Sequence, residues 1–266
     1  MVRLFRRGDE DRIDLQDPRS IDRWMPLIGA VRAYHRYEIH GLEHIPRDGG
    51  ALLALNHGPV PIDGPLLGAT IYQHQGRLPR ALTDHLVFKM PVMRELFLAV
   101  GAVDGRPELA GELLQKGNLV IVMPGGAPEA FKSSARAYEL YWRQRKGFAR
   151  VAIRHQVPII PAACIGIDEL YTVPFDMFEL GKKLFGVRSM PLPLAWGLGP
   201  VPRPAKLDHF IGEPISPPPP EAEQDEKQLL AFRDRVTDAM EQLIAHGLAL
   251  RDGRRRQLDT SEASSS

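Results

Sequence analysis

The sequence predicts an α/β fold: a mostly parallel central sheet flanked by helices, with an amphipathic helix near the N-terminus and a long helix near the C-terminus. Three observations predict it. Short, unbroken apolar runs occur at residues 51–55, 118–123 and 157–165, as expected for strands covered on both faces. Segments with apolar residues at helical spacing alternate with these runs, the pattern of βα units. Turn-forming residues punctuate the change from one to the other, as in Gly49-Gly50, Asn56 and Pro124-Gly125-Gly126.

Residues 1–19 are polar and charged and are expected to be flexible. Over 20–37, Ile21, Trp24, Met25, Leu27, Ile28, Val31 and Tyr34 recur at helical spacing, with Arg23, Arg32 and Arg36 among them. That composition suits a helix lying in a lipid headgroup layer and equally a surface helix whose apolar stripe faces the core. The first apolar run ends at Asn56. A loop then leads to a helix from Asp63 to about Gln73, and further helices are expected over 84–98 and 107–116. Residues 147–156 are amphipathic and precede the third apolar run.

The stretch 173–204 is rich in Pro and Gly. It carries apolar clusters (Phe175, Met177 and Phe178; Leu184 and Phe185; Leu192 to Trp196) with Lys182, Lys183 and Arg188 between them. It fits a membrane anchor, a lid or packed core. Residues 216–220 form a stiff, proline-rich connector. A long helix is expected over 221–250, with Leu229, Leu230, Phe232, Val236, Met240, Leu243 and Ile244 on its apolar side. Residues 251–266, basic and then Ser-rich, read as a disordered tail. One domain therefore spans 20–250.

With 34 basic against 33 acidic residues the net charge is +1, which argues against a general nucleic-acid binder. Cys164 is the single cysteine; it excludes an internal disulfide framework and reads as a small core residue rather than a nucleophile. No run approaches the ~20 apolar residues of a bilayer span, and the N-terminal residues lack a signal-peptide core. A cytoplasmic protein touching membrane only from its surface is the expectation. Neither a metal nor a bound cofactor is expected.

The stretch with most chemical content is Asn56-His57-Gly58-Pro59-Val60-Pro61-Ile62-Asp63. It sets a histidine at the exit of a buried strand and an aspartate at the entry to the next helix. Acyl transfer from a thioester to an alcohol needs a base that takes the hydroxyl proton as the oxygen attacks. An imidazole serves near neutral pH, and a carboxylate on its other nitrogen fixes the tautomer and stabilises the imidazolium. The plain structural alternative is a turn followed by an Asp63 helix cap.

Four blocks, in order, extend this pattern. After the lead-in Gly41-Leu42-Glu43-His44-Ile45-Pro46 come the His57-to-Asp63 stretch and Gly101-Ala102-Val103-Asp104-Gly105-Arg106. Val122-Met123-Pro124-Gly125-Gly126-Ala127-Pro128-Glu129-Ala130-Phe131 and Val157-Pro158-Ile159-Ile160-Pro161 follow. Together, between about residues 36 and 165, they resemble the glycerol-phosphate and lysophosphatidate acyltransferase superfamily, and within it the diacylglycerol-acyltransferase-like branch. The resemblance implies an acyltransferase-like fold, acyl-coenzyme A as co-substrate, a lipid acceptor, and His57 and Asp63 as catalytic base and partner.

Two departures stand out. Five residues separate His57 from Asp63 where the common motif has four. The third block has Met123-Pro124-Gly125-Gly126-Ala127-Pro128 in place of Phe-Pro-Glu-Gly-Thr-Arg, so its basic residue is missing. A neutral glycerolipid hydroxyl is then the expected acceptor. Arg106, Pro124, Gly125, Gly126 and Glu129 are candidate substrate contacts: the glycines through backbone N–H groups, Arg106 toward a coenzyme A phosphate, and Glu129 toward the acceptor or as an orienting group. The alternatives are a lysophospholipid or lysophosphatidate acyltransferase, a non-catalytic lipid-binding protein of the same fold, and a thioester hydrolase.

Overall fold

A computed structural model describes residues 18–84, 87–89, 97–98, 101–176, 197 and 201–263. Among them, seven strands form one sheet: β1 (Glu38–His40), β2 (Ala51–Leu55), β3 (Arg80–Thr83), β4 (Ala102–Asp104), β5 (Leu119–Val122), β6 (Ile159–Ile165) and β7 (Asp208–Ile211). Across the sheet they run β1-β7-β6-β2-β5-β3-β4. Neighbours are parallel except β6 and β7, which are antiparallel. The three apolar runs are the three adjacent central strands, β6, β2 and β5. All residues of β2 and β6 are buried, because helices cover both faces there.

The helices are α1 (Met25–Tyr34), α2 (Asp63–Gln75), α3 (Pro107–Gln115), the single turn α4 (Gly126–Ala130), α5 (Gly147–His155) and α6 (Glu226–Ala263). Side chains alternate across a strand, and β2 divides accordingly. Leu53 and Leu55 pack with Leu67 and Ile71 of α2, while Leu52 and Ala54 join Leu113 of α3, Ala152 of α5 and Val236 and Met240 of α6. The result is three layers. α1, preceded by a 3-10 turn over Pro18–Trp24 rather than continuing the helix expected over 20–37, lies outside α2 on the first face: Ile21 of the turn and Ile28 of α1 are buried there, with Trp24, Met25 and Val31 packed beside them. Most of its apolar stripe therefore serves the core, but Leu27 and Tyr34 stay exposed.

Two boundaries differ from the sequence reading. Residues 220–223 form a separate 3-10 turn, and α6 begins at Glu226 and runs to Ala263, well past Leu250. The added turns are held by charge pairs. Arg251 donates to both oxygens of Glu169 at 2.7 and 2.6 Å, and Arg254 reaches Glu38 at 3.3 Å and Asp208 at 3.5 Å. A helix carried by tertiary ion pairs leaves no apolar periodicity to read, so the expected disordered tail is corrected to helix over 251–263. The segment expected as helix over 84–98 lies largely outside the described residues, with only a 3-10 turn at Val87–Lys89 among them. The clusters from Met177 to Trp196 lie outside them altogether, as do residues 1–17.

At the exit of β2, Asn56 is fully buried and replaces a rung of the ladder. Its amide donates to the Cys164 carbonyl at 3.1 Å, and its carbonyl accepts from the Cys164 N–H at 2.8 Å. This doubled bond clamps the start of the next loop to β6. Asn56→Ala would leave both Cys164 backbone groups unpaired in a dry interior, a loss of about 3 kcal/mol. Chemical denaturation of the variant checks this; a loss under about 1 kcal/mol would show the clamp to be dispensable.

Candidate functional site

All the residues singled out in the sequence follow the carboxyl ends of parallel strands, the edge where open α/β sheets carry their sites. His57 lies two residues past β2, Pro124 to Gly126 follow β5, and Arg106 follows β4. The sheet order puts three strand spacings between β2 and β4, so Arg106 stands about 14 Å across this edge from His57.

His57 is fixed by its backbone on both sides. Its N–H donates to Oε1 of Glu129 at 2.9 Å, and its carbonyl accepts from the Lys132 ammonium at 3.4 Å. Gly58 lets the loop press on the chain after β6: a Cβ there would stand 2.7 Å from Cγ1 of Ile167 and 2.9 Å from its carbonyl oxygen. The imidazole Nδ1 lies 2.8 Å from the Gly58 carbonyl oxygen. A carbonyl only accepts, so Nδ1 carries the proton and Nε2 keeps its lone pair. Burial pulls the imidazole down to about 4; the Gly58 carbonyl opposes this and the Lys132 charge adds to it. His57 is therefore neutral at physiological pH, in the form that takes up a proton.

Asp63 is the first residue of α2 and is fully buried. The residue at the helix cap is Ile62, and Asp63 is one position inside the helix. Neither Oδ1 nor Oδ2 has a hydrogen-bond partner among the described residues. Burial raises the carboxyl to about 7. The N–H groups of Asp63 and Gly64 oppose the rise without meeting hydrogen-bond geometry, and Asp168 adds slightly to it. No hydrogen bond joins His57 to Asp63 in this conformation; the Gly58 carbonyl holds the tautomer instead.

Glu129 is an internal brace for the backbone at the site. It is fully buried, with Oε1 accepting from His57 N–H and Oε2 from Tyr141 N–H, each at 2.9 Å. Burial lifts it to about 7 against the pull of Lys132 and the two N–H donors, with a small further rise from Asp168. The space at Gly125 belongs to this brace: a Cβ there would stand 2.0 Å from Oε2 of Glu129. The Gly126 N–H is spent on the Met123 carbonyl at 3.0 Å. Glu129 thus fills the space beside Gly125, while beside Gly126 a Cβ would meet only Cδ of Pro128, at 4.0 Å. Pro124 is half-buried in the same turn. Arg106 pairs with Asp104 at 3.1 Å, its side chain half exposed.

The sequence reading missed Lys132 and Asp168. They form a buried ion pair at 3.1 Å, and Asp168 also accepts from the Tyr138 N–H at 2.7 Å. Lys132 comes directly after the third block and Asp168 just beyond β6; a charge beside a buried run was the available signal. The arrangement holds a neutral imidazole on a rigid backbone, with one nitrogen unbonded among the described residues, which suits general-base chemistry on a hydroxyl.

Residues 36–165, the span of all four sequence blocks, match the Acyltransferase family model. The chain belongs to the glycerolipid acyltransferase superfamily. It is 37% identical over 216 residues to a bovine (Bos taurus) protein named as a DGAT1/2-independent enzyme synthesizing storage lipids, covering 81% of this chain and 61% of that one. The human protein of the same name is 38% identical over 187 residues, covering 70% and 56%. A Mycobacterium tuberculosis protein named as uncharacterized is 34% identical over 227 residues, covering 82% and 63%. The chain thus spans roughly three fifths of the length of these relatives. The fold is shared with the crystal structure of the 1-acyl-sn-glycerophosphate (LPA) acyltransferase PlsC from Thermotoga maritima. The TM-score is 0.51 at 17% identity, over 86% of this chain and 84% of that one.

Glu129→Ala removes the acceptor of two buried N–H groups, so stability should fall by about 3 kcal/mol and kcat with it, while KM stays within about twofold. Thermal melts with steady-state kinetics check this. An increased KM at unchanged Tm would place Glu129 against the acceptor after all.

Proposed function

We propose that the protein moves a fatty acyl chain from acyl-coenzyme A to the hydroxyl of a neutral glycerolipid at a membrane surface, with His57 as general base and Asp63 as its partner. The observation that carries this reading is the free Nε2 of a neutral, rigidly mounted His57 at the carboxyl edge of the sheet. The acceptor O–H gives its proton to Nε2 as the oxygen attacks the thioester carbonyl. The C–S bond then breaks, and the imidazolium returns the proton to the leaving thiolate. No enzyme nucleophile is needed, and Cys164 is a poor one: it is fully buried, and burial drives its thiol pKa well up.

Asp63 enters when the imidazole turns from the Gly58 carbonyl toward it, since catalytic hydrogen bonds often tighten only in the reacting complex. Ionised Asp63 then stabilises the imidazolium. The sign of the pH dependence follows. Asp63 titrates near 7 and is protonated below that, whereas His57 stays neutral down to about 4. As pH falls, activity should therefore drop through about 7 with the loss of the carboxylate, not near 4 with the loss of the base. Asp63→Asn should lower kcat by roughly 100-fold or more and flatten that limb. A rate profile whose limb stays near 7 in Asp63→Asn would remove Asp63 from the reaction.

The neutral acceptor is supported by what stands after β5. Ala127 and Pro128 occupy the positions where the superfamily commonly has a basic residue, and Pro128 has no N–H to offer. Lys132 reaches the His57 carbonyl but is committed to Asp168. A phosphate monoester carries nearly two negative charges and needs cationic partners when buried. The relatives named for storage-lipid synthesis point the same way. Among the described residues no helix is long and apolar enough to cross a membrane. Leu27 and Tyr34 lie two turns apart on α1 and are exposed, and the Tyr34 hydroxyl bonds to the Pro202 carbonyl beside exposed Val201. That apolar patch supports contact with a lipid surface, while Arg106, partly exposed, is offered to a coenzyme A phosphate.

The test is a competition in mixed micelles between equal lysophosphatidate and mono- or diacylglycerol with one acyl-coenzyme A, products read by mass spectrometry. The neutral lipid should take most of the label, and His57→Ala should abolish transfer to it. Preference for the phosphorylated acceptor would overturn the neutral assignment, and release of free fatty acid alone would indicate hydrolysis.

A further inference from the structure

Asp63 belongs to a second polar group inside the protein. A ring nitrogen of His209 on β7, Sγ of Cys164 on β6 and a carboxylate oxygen of Asp63 all lie within 4.8 Å of one another, and all three residues are fully buried. Cys164 and His209 are directly paired across the antiparallel β6–β7 ladder. The Tyr37 hydroxyl sits 2.8 Å from Nδ1 of His209. Nε2 of His209 and both oxygens of Asp63 have no hydrogen-bond partner among the described residues. A ring nitrogen and a carboxylate left unpartnered in a dry interior are each costly, and a hydrogen bond between them would relieve both.

We propose that His209, oriented by Tyr37, is a positioning residue for Asp63: Tyr37 donates to Nδ1, the imidazole proton therefore sits on Nε2, and Nε2–H is the donor that holds the Asp63 carboxylate ionised and aimed at His57. The inference rests on the reading of Asp63 as the partner of His57. Burial keeps the His209 imidazole neutral, drawing it down to about 3, so one N–H donor and one acceptor is its working form. The groups facing Asp63 are Cys164 from β6, His209 from β7, Asp168 beyond β6 and Tyr37 ahead of β1. Cys164 and Tyr37 are both held in their neutral forms by burial. Among these, His209 and Tyr37 alone form a directed chain of donors. The same three donor atoms resemble a metal trio, but an ion there would take Asp63 away from His57.

The experiment compares His209→Gln, which keeps an N–H donor at about the Nε2 position, with His209→Met, which removes it. His209→Met should lower kcat by roughly 10–100-fold with KM within about twofold, and should move the acid limb of kcat to higher pH, because the carboxylate loses a stabilising donor. His209→Gln should recover most of the rate and return the limb. Tyr37→Phe, which frees the tautomer, should give a smaller loss with the same direction of limb shift, and it carries the test if His209→Met does not fold. In an Asp63→Asn background His209→Met should add nothing further.

Equal losses in His209→Gln and His209→Met, wild-type kcat with an unmoved limb in His209→Met, or a full further loss in the Asp63→Asn background would each overturn the proposal. So would a Tyr37→Phe enzyme with the wild-type rate and limb. Asp63→Asn separates the two levels. If that single variant keeps the wild-type rate, the dyad itself falls; if it is inactive while His209→Met is normal, only the role of His209 falls.

Discussion

Two backbone hydrogen bonds to one buried carboxylate set the position of everything else at the carboxyl edge of the sheet. Glu129 ties the N–H of His57, which follows β2, to the N–H of Tyr141, which leads into α5. A carboxylate with two N–H donors and no solvent is directional in a way that apolar packing is not. The Gly125 that makes room for it, the β5 turn that delivers it and the Asn56 clamp one residue before His57 all serve that geometry. His57 is then held by its own main chain, while its imidazole bonds to the Gly58 carbonyl through Nδ1.

The electrostatic consequence is a site poor in free charge. Burial raises Asp63 and Glu129 to about 7 and lowers His57 to about 4, so each group is driven toward its neutral form. Lys132 and Asp168 are the exception, a buried pair whose worth lies less in net stability than in the shape it imposes. Removing either partner would strand a charge in the interior. Through its reach to the His57 carbonyl, Lys132 links that pair to the base, and through Tyr138 the pair connects to Glu169 and the far turns of α6.

What could be read in advance follows from where residues lie in the sheet. β6, β2 and β5 are covered on both faces and announce themselves as apolar runs. β1, β3, β4 and β7 flank them, are three or four residues long, and include Glu38, His40, Arg80, Asp104, Asp208 and His209. Polar residues in short strands erase the alternation on which a reading depends. His57 and Asp63 stand out as candidates because a histidine and an aspartate bracket a strand-to-helix loop; the groups that hold them in place do not. Glu129 and the Gly125-Gly126 turn read as candidate ligand contacts, and the bracing of His57 by Glu129 does not show, because a glycine after a strand reads the same whether a substrate or the protein's own carboxylate fills the space. The tautomer of His57 depends on the orientation of one carbonyl, which sequence does not encode locally.

The same constraint bears on acceptor choice. In a site where burial works against every ionised group, a substrate that brings its own double charge must also bring or find compensation. The cation nearest in the chain to the third block, Lys132, is three residues past Glu129 and is already neutralised by Asp168. Recruiting it would break a buried pair and leave Asp168 stranded, a cost of several kcal/mol. A neutral hydroxyl asks for no such rearrangement: it needs an apolar approach and the lone pair on Nε2. In the proposed reaction, Pro128 at the usual basic position and the commitment of Lys132 to Asp168 would act together, with charge building the frame rather than meeting the acceptor.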